Sequence, residues 1–244
     1  MEEEGTKKED TRKKCWMFDT KGLVHSNRPR LEEFKKVYAH EINSDFDSNS
    51  FLACIKKIKP TAIVGVSTCP KLFTKEVLAE MAAINQQPLI LALSNPTSQE
   101  ECSAEDAYNY TNGKALFAAG VKFDDVIINK KTYYPTQANN LWIFPAIGMA
   151  VYATKSKKVT EKMFLVAAKA LSELVSEDRF EKEALFPDEK DIIIITSKVA
   201  AAVALFIFDN NFASVKRPDY DDHIIHLIEK TSYHHFYQDY TNGK

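Results

Sequence analysis

The sequence has little glycine, and its few glycines do not form a phosphate-binding motif. There are seven glycines among 244 residues, and no G-x-G-x-x-G can be written with them. In dinucleotide-binding folds that motif forms the tight turn over the pyrophosphate. The usual pyrophosphate-binding turn is therefore missing from this sequence.

The sequence also lacks paired cysteines, a basic surplus and a clustered set of metal ligands. Its four cysteines are far apart with no C-x-x-C, which indicates free thiols in a reducing compartment. The formal net charge is −2, and lysines and arginines are scattered among acidic residues, which argues against a nucleic-acid partner. His223 and His226 can share a helix face and His234-His235 follow, but no cysteine is near. We therefore predict a solvated tail there and no metal site.

Long apolar runs are missing as well. The longest run, Val199 to Phe208, is shorter than the about 20 residues that a membrane-spanning helix needs. The first residues, "MEEEGTKKEDTRKK", have no apolar core of a signal peptide, and their acidic residues argue against a transit peptide. We expect a soluble intracellular protein without a membrane partner, in either the cytoplasm or the mitochondrion.

Short apolar strands alternate with helices in the first half of the sequence. This alternation predicts an α/β fold whose parallel sheet is covered by helices on both faces. After Asp124 the pattern changes to a small hairpin and three helical stretches, and a polar tail follows Ala213. The predicted strands are Cys15–Phe18, Thr61–Ser67, Pro88–Ser94 and Lys114–Gly120, and the predicted helices are Leu31–Glu41, Phe51–Pro60, Thr74–Asn85, Ser103–Gly113, Leu141–Thr154, Thr160–Ser176 and Asp188–Phe208.

A carboxamide stands at the end of the predicted strand that begins at Leu89. Asn95 follows this strand directly, and Pro96 disfavours a helical conformation at Asn95. Ligands of doubly wound sheets bind beyond the carboxyl ends of the strands, where a short amide can both donate and accept hydrogen bonds. The alternative is that Asn95 merely caps the turn through its own backbone.

A second amide cluster precedes the first helix of the later half. Gln137, Asn139 and Asn140 come immediately before an apolar helical stretch. One amide is enough to cap a helix, and a helix N-terminus also accepts anionic ligand groups. Two amide clusters, both at positions where this architecture presents ligands, favour a binding cleft over two independent caps.

Four stretches of the sequence resemble one known family. The likeness to the C-terminal, dinucleotide-binding half of malic enzymes runs in order from about Glu3 to about Phe212. It implies a Rossmann-type, doubly wound, mostly parallel sheet that is incomplete at its N-terminus and carries a C-terminal helical extension. The stretches are "CWMFDTKGLV", "LALSNPTSQEECSAEDAY", "GKALFAAG" and "QANNLWIFPAIGMAV".

The resemblance implies a domain division and an ancestral reaction. Residues 1–212 correspond to a partial NAD(P)-binding domain, Rossmann-like over 1–124 and with the hairpin and helices over 125–212, and residues 213–244 form the tail. The family's reaction is the oxidative decarboxylation of malate to pyruvate and carbon dioxide with NAD or NADP and a divalent metal. Malate or pyruvate and a dinucleotide are thus the implied ligands.

The resemblance assigns roles to the amides. It places Asn95 and Asn139 in contact with malate and with the nicotinamide region, and it places Asn140 close by. Ser67, at the end of the strand before the one that leads to Asn95, is implied as a further coenzyme contact.

The resemblance also implies an adenosine end for the coenzyme site. Asp19 matches the acidic residue that accepts hydrogen bonds from the ribose hydroxyls, and Thr20, Arg28 and the pair Lys35-Lys36 lie where the family distinguishes NADP from NAD. Basic groups there favour NADP, since a 2′-phosphate is bound by arginine or lysine. The alternative is that the lysine pair is a solvated helix face.

The resemblance does not extend to the family's catalytic N-terminal half. That half carries the tyrosine acid, the lysine base and the three carboxylates that bind Mg²⁺ or Mn²⁺. No residue pair in this sequence replaces these groups. We expect the chain alone to be catalytically incompetent. Three interpretations follow: a piece of a malic enzyme, a remnant that binds a dinucleotide weakly or not at all, or a non-catalytic assembly or regulatory module. The module would form a homo- or hetero-oligomer with full-length subunits through the helices after Leu141.

Overall fold

The computed structural model describes residues 5–43 and 46–231. The chain forms two compact units, Met1–Pro135 and Thr136–Lys244. This division comes later than residue 124, where the sequence pattern changes. The cause is the hairpin that ends at Tyr133, because the Tyr133 ring stacks on the Tyr108 ring of the first unit at 4.6 Å between centroids.

The first unit opens with a helix and a small hairpin. Helix α1 (Lys8–Lys13) buries none of its residues, and strands β1 (Phe18–Asp19) and β2 (Gly22–Leu23) pair antiparallel. The predicted strand Cys15–Phe18 of the parallel sheet is therefore wrong, because Gly22, at a φ of +92°, lets the chain fold back on itself.

The helix predicted over Leu31–Glu41 is much shorter in the structure. Helix α2 covers only Glu33–Lys36. The apolar residues of the predicted amphipathic pattern, Phe34 and Val37, remain exposed. No buried face supports further turns, and an unsupported short helix is not stable in water.

The main sheet of the first unit is parallel, as predicted. After helix α3 (Phe51–Ile58), the elements are β3 (Ala62–Gly65), α4 (Lys75–Ile84), β4 (Leu89–Ala92), α5 (Ala104–Tyr110), β5 (Leu116–Ala119), and then the hairpin of β6 (Val126–Ile128) and β7 (Lys131–Tyr133). Ala62 pairs with Leu89 and Leu89 pairs with Leu116, so the described strands of the parallel sheet in this unit lie in the order β3, β4, β5. Helices α4 and α5 connect these successive strands.

Hydroxyl side chains cap the N-termini of helices α4 and α5. Thr74 Oγ1 accepts a hydrogen bond from the Val77 N–H at 3.4 Å, and Ser103 Oγ accepts one from the Asp106 N–H at 3.0 Å. Both predicted N-caps are confirmed. Each satisfies a backbone donor that has no partner inside the helix.

Strand β3 differs from β4 and β5 in its exposure. Ile90 of β4 and Phe117 of β5 are fully buried in the core, with Leu78 and Met81 of α4 packed beside them. On β3, in contrast, Val64 is 54% exposed, as is Val66 just beyond it at 70%. Within the described residues, β3 has no strand partner on the side away from β4.

The second unit is helical after its first few residues. The three predicted helices are present, as α6 (Phe144–Thr154), α7 (Glu161–Glu173) and α9 (Ile192–Asp209). Their buried side chains form one apolar cluster. The remaining elements are β8 (Thr136–Gln137), a 3-10 turn (Asn140–Trp142), α8 (Glu177–Glu181), a second 3-10 turn (Glu189–Asp191) and α10 (Asp222–Thr231).

Helix α10 lies in the region for which the sequence predicts a polar tail. Ile224 is 2% exposed and Ile228 is fully buried, and both belong to the apolar cluster of the second unit. Two isoleucines four residues apart lie on one face of the helix, and the partly buried Leu227 packs against the same cluster. His223 and His226 lie on this helix, and His234-His235 fall outside the described residues.

The helical segment that contains the longest apolar run is longer than the run itself. In residues 5–43 and 46–231, Glu189–Asp209 is the one segment long and apolar enough to cross a membrane by length and composition. Val199, Val203 and Ile207 on this segment are fully buried among the other helices of the second unit. The packing is that of a core helix.

Candidate functional site

Two loops meet beyond the carboxyl ends of β3 and β4. Ser67 and Thr68 follow β3, and Ser94 and Asn95 follow β4. Ser94 is buried, Asn95 and Ser67 are exposed, and the peptide bond between Asn95 and Pro96 is cis. The strand-end position predicted for the Asn95 carboxamide is therefore the observed one.

A buried carboxylate lies beneath these loops. Glu101 is fully buried, and its Oε1 accepts a hydrogen bond from the Ser94 hydroxyl at 2.5 Å. Its Oε2 accepts from the Ser94 N–H at 3.3 Å. The Ser94 hydroxyl in turn accepts from the Thr68 N–H at 2.9 Å, so the two loops are joined through side chains.

Two glycines at the ends of β3 and β5 lie closer to neighbouring atoms than any larger residue could. A Cβ on Gly65 would lie 2.3 Å from Cδ of Glu101, and a Cβ on Gly120 would lie 2.2 Å from the carbonyl oxygen of Leu93. A glycine inside a strand often marks a close approach of this kind. Gly65 is a sequence signal of a close approach at the end of β3, but it does not tell which residue approaches, so the sequence did not predict the buried Glu101.

Asp19 lies at the end of β1 and is held by three donors. Its carboxylate accepts hydrogen bonds from Arg28 Nη2 at 3.0 Å, Lys35 Nζ at 2.8 Å and the Lys21 N–H at 2.9 Å. Burial alone would raise the pKa of Asp19, but the hydrogen bonds from Arg28, Lys35 and Lys21 outweigh it and hold that pKa well below its ordinary value. Asp19 is therefore ionised and bonded by Arg28 and Lys35, and Lys35 also pairs with Glu32 at 3.3 Å.

The two neighbouring lysines of α2 have different contacts. Lys35 bonds Asp19, whereas Lys36 pairs with Glu33. Thr20 is exposed beside Asp19. A surface hollow of about 430 Å³ is lined in part by basic side chains; its residues are Ser26, Arg28, Arg30, Leu31, Lys36 and Ala39. Of the residues predicted for the adenosine end, Arg28 and Lys36 thus line this hollow. Lys35 bonds Asp19, and Thr20 follows Asp19 in the chain.

The amides of the second unit begin its first helical turn. Asn139 Oδ1 accepts a hydrogen bond from the Leu141 N–H at 3.0 Å, so this oxygen serves as a cap. Asn139 and Asn140 are both exposed. Asn95 belongs to the first unit and Asn139 to the second, and their shared contact with one ligand stays a prediction.

The two buried thiols, Cys54 and Cys102, are not poised as nucleophiles. Cys54 and Cys102 are buried, Cys15 and Cys69 are exposed, and all four are free. Burial raises the pKa of Cys54 to about 11 and that of Cys102 still further. In the described part of the chain, no group of three or more His, Cys, Asp or Glu side chains is placed to hold a metal ion.

The fold and the strand-end loops define a class of protein. The family model described as "Malic enzyme, NAD binding domain" matches residues 1–207. The chain therefore belongs to the malic enzyme family, and its match is to the NAD-binding domain.

Particular relatives support this membership. The chain is 42% identical over 233 residues to the NADP-dependent malic enzyme of Vitis vinifera, a match that spans 95% of the chain and 39% of that protein. It is 45% identical over 212 residues to the NADP-dependent malic enzyme of Phaseolus vulgaris, over 86% of the chain and 36% of the relative. The chain thus spans less than half the length of these relatives.

Solved structures agree with the fold. The crystal structure of Entamoeba histolytica malic enzyme superposes with a TM-score of 0.68 at 22% identity, over 88% of this chain and 41% of that one. The malic enzyme from Pyrococcus horikoshii Ot3 gives a TM-score of 0.61 at 22% identity, over 85% of this chain and 44% of that one.

Proposed function

We propose that the chain forms the NAD(P)-binding half of a malic enzyme. In this role it would bind coenzyme and help to hold malate, while other polypeptide supplies the groups that convert malate to pyruvate and carbon dioxide. The observation that carries the proposal is a family match over residues 1–207 that includes an exposed carboxamide, Asn95, at the carboxyl end of a parallel strand. That is where doubly wound sheets bind ligands.

The carboxamides are the proposed contacts to substrate and nicotinamide. Asn95 offers an exposed amide beyond β4. Asn139 keeps its NH₂ group for a ligand while its oxygen caps the turn, and Asn140 stands beside it. Ser67 is proposed as a contact on the coenzyme side of the β3 loop.

The charges around Asp19 support NADP as the preferred coenzyme. A free carboxylate at this position accepts bonds from the ribose hydroxyls of NAD and repels a 2′-phosphate. Here Arg28 and Lys35 already bond the carboxylate, so it is not free to repel a 2′-phosphate, although Lys35 also pairs with Glu32. Lys36 and Arg30 add basic groups to the hollow next to it. The names of the two plant relatives agree with this preference.

The divalent metal of the proposed reaction does not fit the described residues of this chain. The described residues offer no cluster of metal-capable side chains. A metal that polarises a carbonyl oxygen needs several such ligands around it. We therefore propose that Mg²⁺ or Mn²⁺ is bound only in the complete enzyme.

The proposed function is tested by complementation. The purified chain with malate, NADP and Mn²⁺ is expected to produce no NADPH, because it lacks the base and the metal carboxylates. Addition of the part of the Vitis vinifera enzyme that precedes its matched region is expected to restore malate-dependent NADPH formation, measured by absorbance. Asn95→Ala is expected to lower the restored rate about a hundredfold.

Each outcome of the mixing experiment is informative. Turnover by the chain alone would contradict the assignment of the base and metal to other polypeptide. Co-purification of the two parts without turnover would instead favour the alternative, a non-catalytic assembly or regulatory module. If the two parts neither associate nor turn over malate, the proposed function is contradicted, and the chain is a remnant without it.

The coenzyme preference has its own test in the complemented enzyme. Lys35→Gln leaves the Asp19 carboxylate less compensated, so it is expected to lower the ratio of kcat/KM for NADP over NAD about tenfold. Asp19→Asn in the same chain removes the negative charge and should restore the ratio. Lys8→Gln, at an exposed lysine of α1, is the matched control. An unchanged ratio in Lys35→Gln would show that the ion pair does not set the preference.

A further inference from the structure

Glu101 is a buried acid that has no cationic partner. It is fully buried, and within the described residues no lysine, arginine or histidine forms an ion pair with it. Burial of a carboxyl group is costly unless hydrogen bonds compensate it. The hydrogen bonds of Glu101 therefore carry the compensation, and all of them come from one residue, Ser94.

The direction of these bonds is fixed by chemistry. The Thr68 N–H can only donate, so the Ser94 oxygen accepts from it at 2.9 Å. The Ser94 hydroxyl proton is then left to donate to Glu101 Oε1. The relay thus runs from Thr68 through Ser94 to Glu101, and each bond polarises the next.

The relay ends on a strained residue. Thr68 has a φ of +54°, in the left-handed region that β-branched residues rarely adopt. Such a conformation costs free energy and persists only where surrounding contacts hold it. The Thr68 N–H bond to Ser94 is one of these contacts, and the Thr68 hydroxyl bond to the Ser67 carbonyl oxygen at 2.7 Å is another.

We propose that Glu101 is a positioning residue that locks the loop after β3 to the loop after β4 and thereby sets the orientation of the Asn95 carboxamide. Asn95 is the residue next to Ser94, whose backbone and side chain both bond Glu101. The backbone adds a second connection, because the Phe73 N–H donates to the Glu101 carbonyl oxygen at 3.1 Å. The relevance of this orientation to malate and coenzyme rests on the proposed function, whereas the relay itself does not.

The neighbouring acid provides a matched control. Glu100 is half-buried, and its Oε2 has no hydrogen-bond partner among the described residues. Burial raises the pKa of Glu100, as do the nearby Asp106 and Glu101. Its contact with the β3 loop is through the backbone, where its carbonyl oxygen accepts from the Lys71 N–H at 2.9 Å. Glu100→Gln therefore neutralises an adjacent acid without touching the relay.

The proposal is tested by nuclear magnetic resonance on the full chain without ligands. Glu101→Ala frees the Ser94 hydroxyl to turn, so hydrogen exchange at the Thr68 amide is expected to accelerate about tenfold or more. The side-chain NH₂ signals of Asn95, assigned by their loss in Asn95→Asp, are expected to shift or broaden. Ser94→Ala should accelerate Thr68 exchange equally, and its combination with Glu101→Ala should add nothing further.

The controls separate positioning from general destabilisation. Glu101→Gln keeps the size of the side chain, and it replaces Glu101→Ala if the alanine variant does not fold. Glu100→Gln is expected to leave the Thr68 and Asn95 signals in place. Unchanged signals in a folded Glu101 variant, or equal changes in Glu100→Gln, would overturn the proposal. Because no ligand is present, this result is independent of whether complementation restores malate oxidation.

Discussion

Alanine in place of Gly120 is expected to lower the free energy of unfolding of the first unit by about 3 kcal/mol. The added Cβ would lie 2.2 Å from the carbonyl oxygen of Leu93 and 2.7 Å from its carbonyl carbon. Both atoms are backbone, so no side-chain rotation relieves the clash. The Gly120 N–H donates to the Ala92 carbonyl oxygen at 2.9 Å, and this bond keeps β5 close to the end of β4.

Urea unfolding followed by circular dichroism measures this effect, and Gly148 supplies the control. Gly148 lies in α6, and a Cβ there would meet no atom within 4 Å. Gly148→Ala is expected to be neutral or to stabilise the chain by up to about 1 kcal/mol, since alanine is the better helix former. If Gly120→Ala unfolds at the same urea concentration as the unchanged chain, Gly120 does not lie against the Leu93 carbonyl group and the expectation is contradicted.

Alanine in place of Gly65 is expected to cost about 2 to 3 kcal/mol, for a different reason. Its Cβ would lie 2.3 Å from Cδ and 2.5 Å from Cγ of Glu101. Glu101 is fully buried and bonded to Ser94, so its side chain has no free space into which it can turn. This clash is with a side chain, and a second substitution can remove it.

A double substitution tests whether Gly65 and Glu101 are coupled. Glu101→Ala alone is expected to cost about 2 kcal/mol, because Ser94 loses its buried acceptor. In Gly65→Ala/Glu101→Ala the clash is gone. The loss in free energy of unfolding of the double variant should therefore be smaller than the sum of the two single losses by about 1 kcal/mol or more. Additive losses in urea unfolding would contradict the contact between these two positions.

The parallel sheet could be predicted from the sequence because local patterns agreed with the final packing. The strands that begin near residues 61, 89 and 114 are apolar and are separated by capped helices, and the structure has them in one parallel array. The first predicted strand failed because a glycine turn folds it into a hairpin with β2. Helix α10 was missed, although Ile224, Leu227 and Ile228 recur at helical spacing, because the segment after Ala213 is polar as a whole.

The candidate site was predictable in its positions but less so in its contacts. The sequence places Asn95 at a strand end and basic residues near Asp19, and the structure agrees with both positions. It could not tell Lys35 from its neighbour, because which of two adjacent lysines reaches Asp19 depends on the path of the chain between β2 and α2. Glu101 resembles any other acid in its segment, and only tertiary packing against Gly65 reveals it.

The exposed side of β3 has a practical consequence for handling the protein. An unpaired strand edge with exposed valines is a template on which another molecule can continue the sheet. Within the described residues β3 has such an edge, Val64 on the strand and Val66 just after it are exposed, and the strand carries no lysine. Concentrated preparations of the isolated chain should therefore form aggregates rich in intermolecular sheet, and a polypeptide that caps this edge should act as a solubilising chaperone.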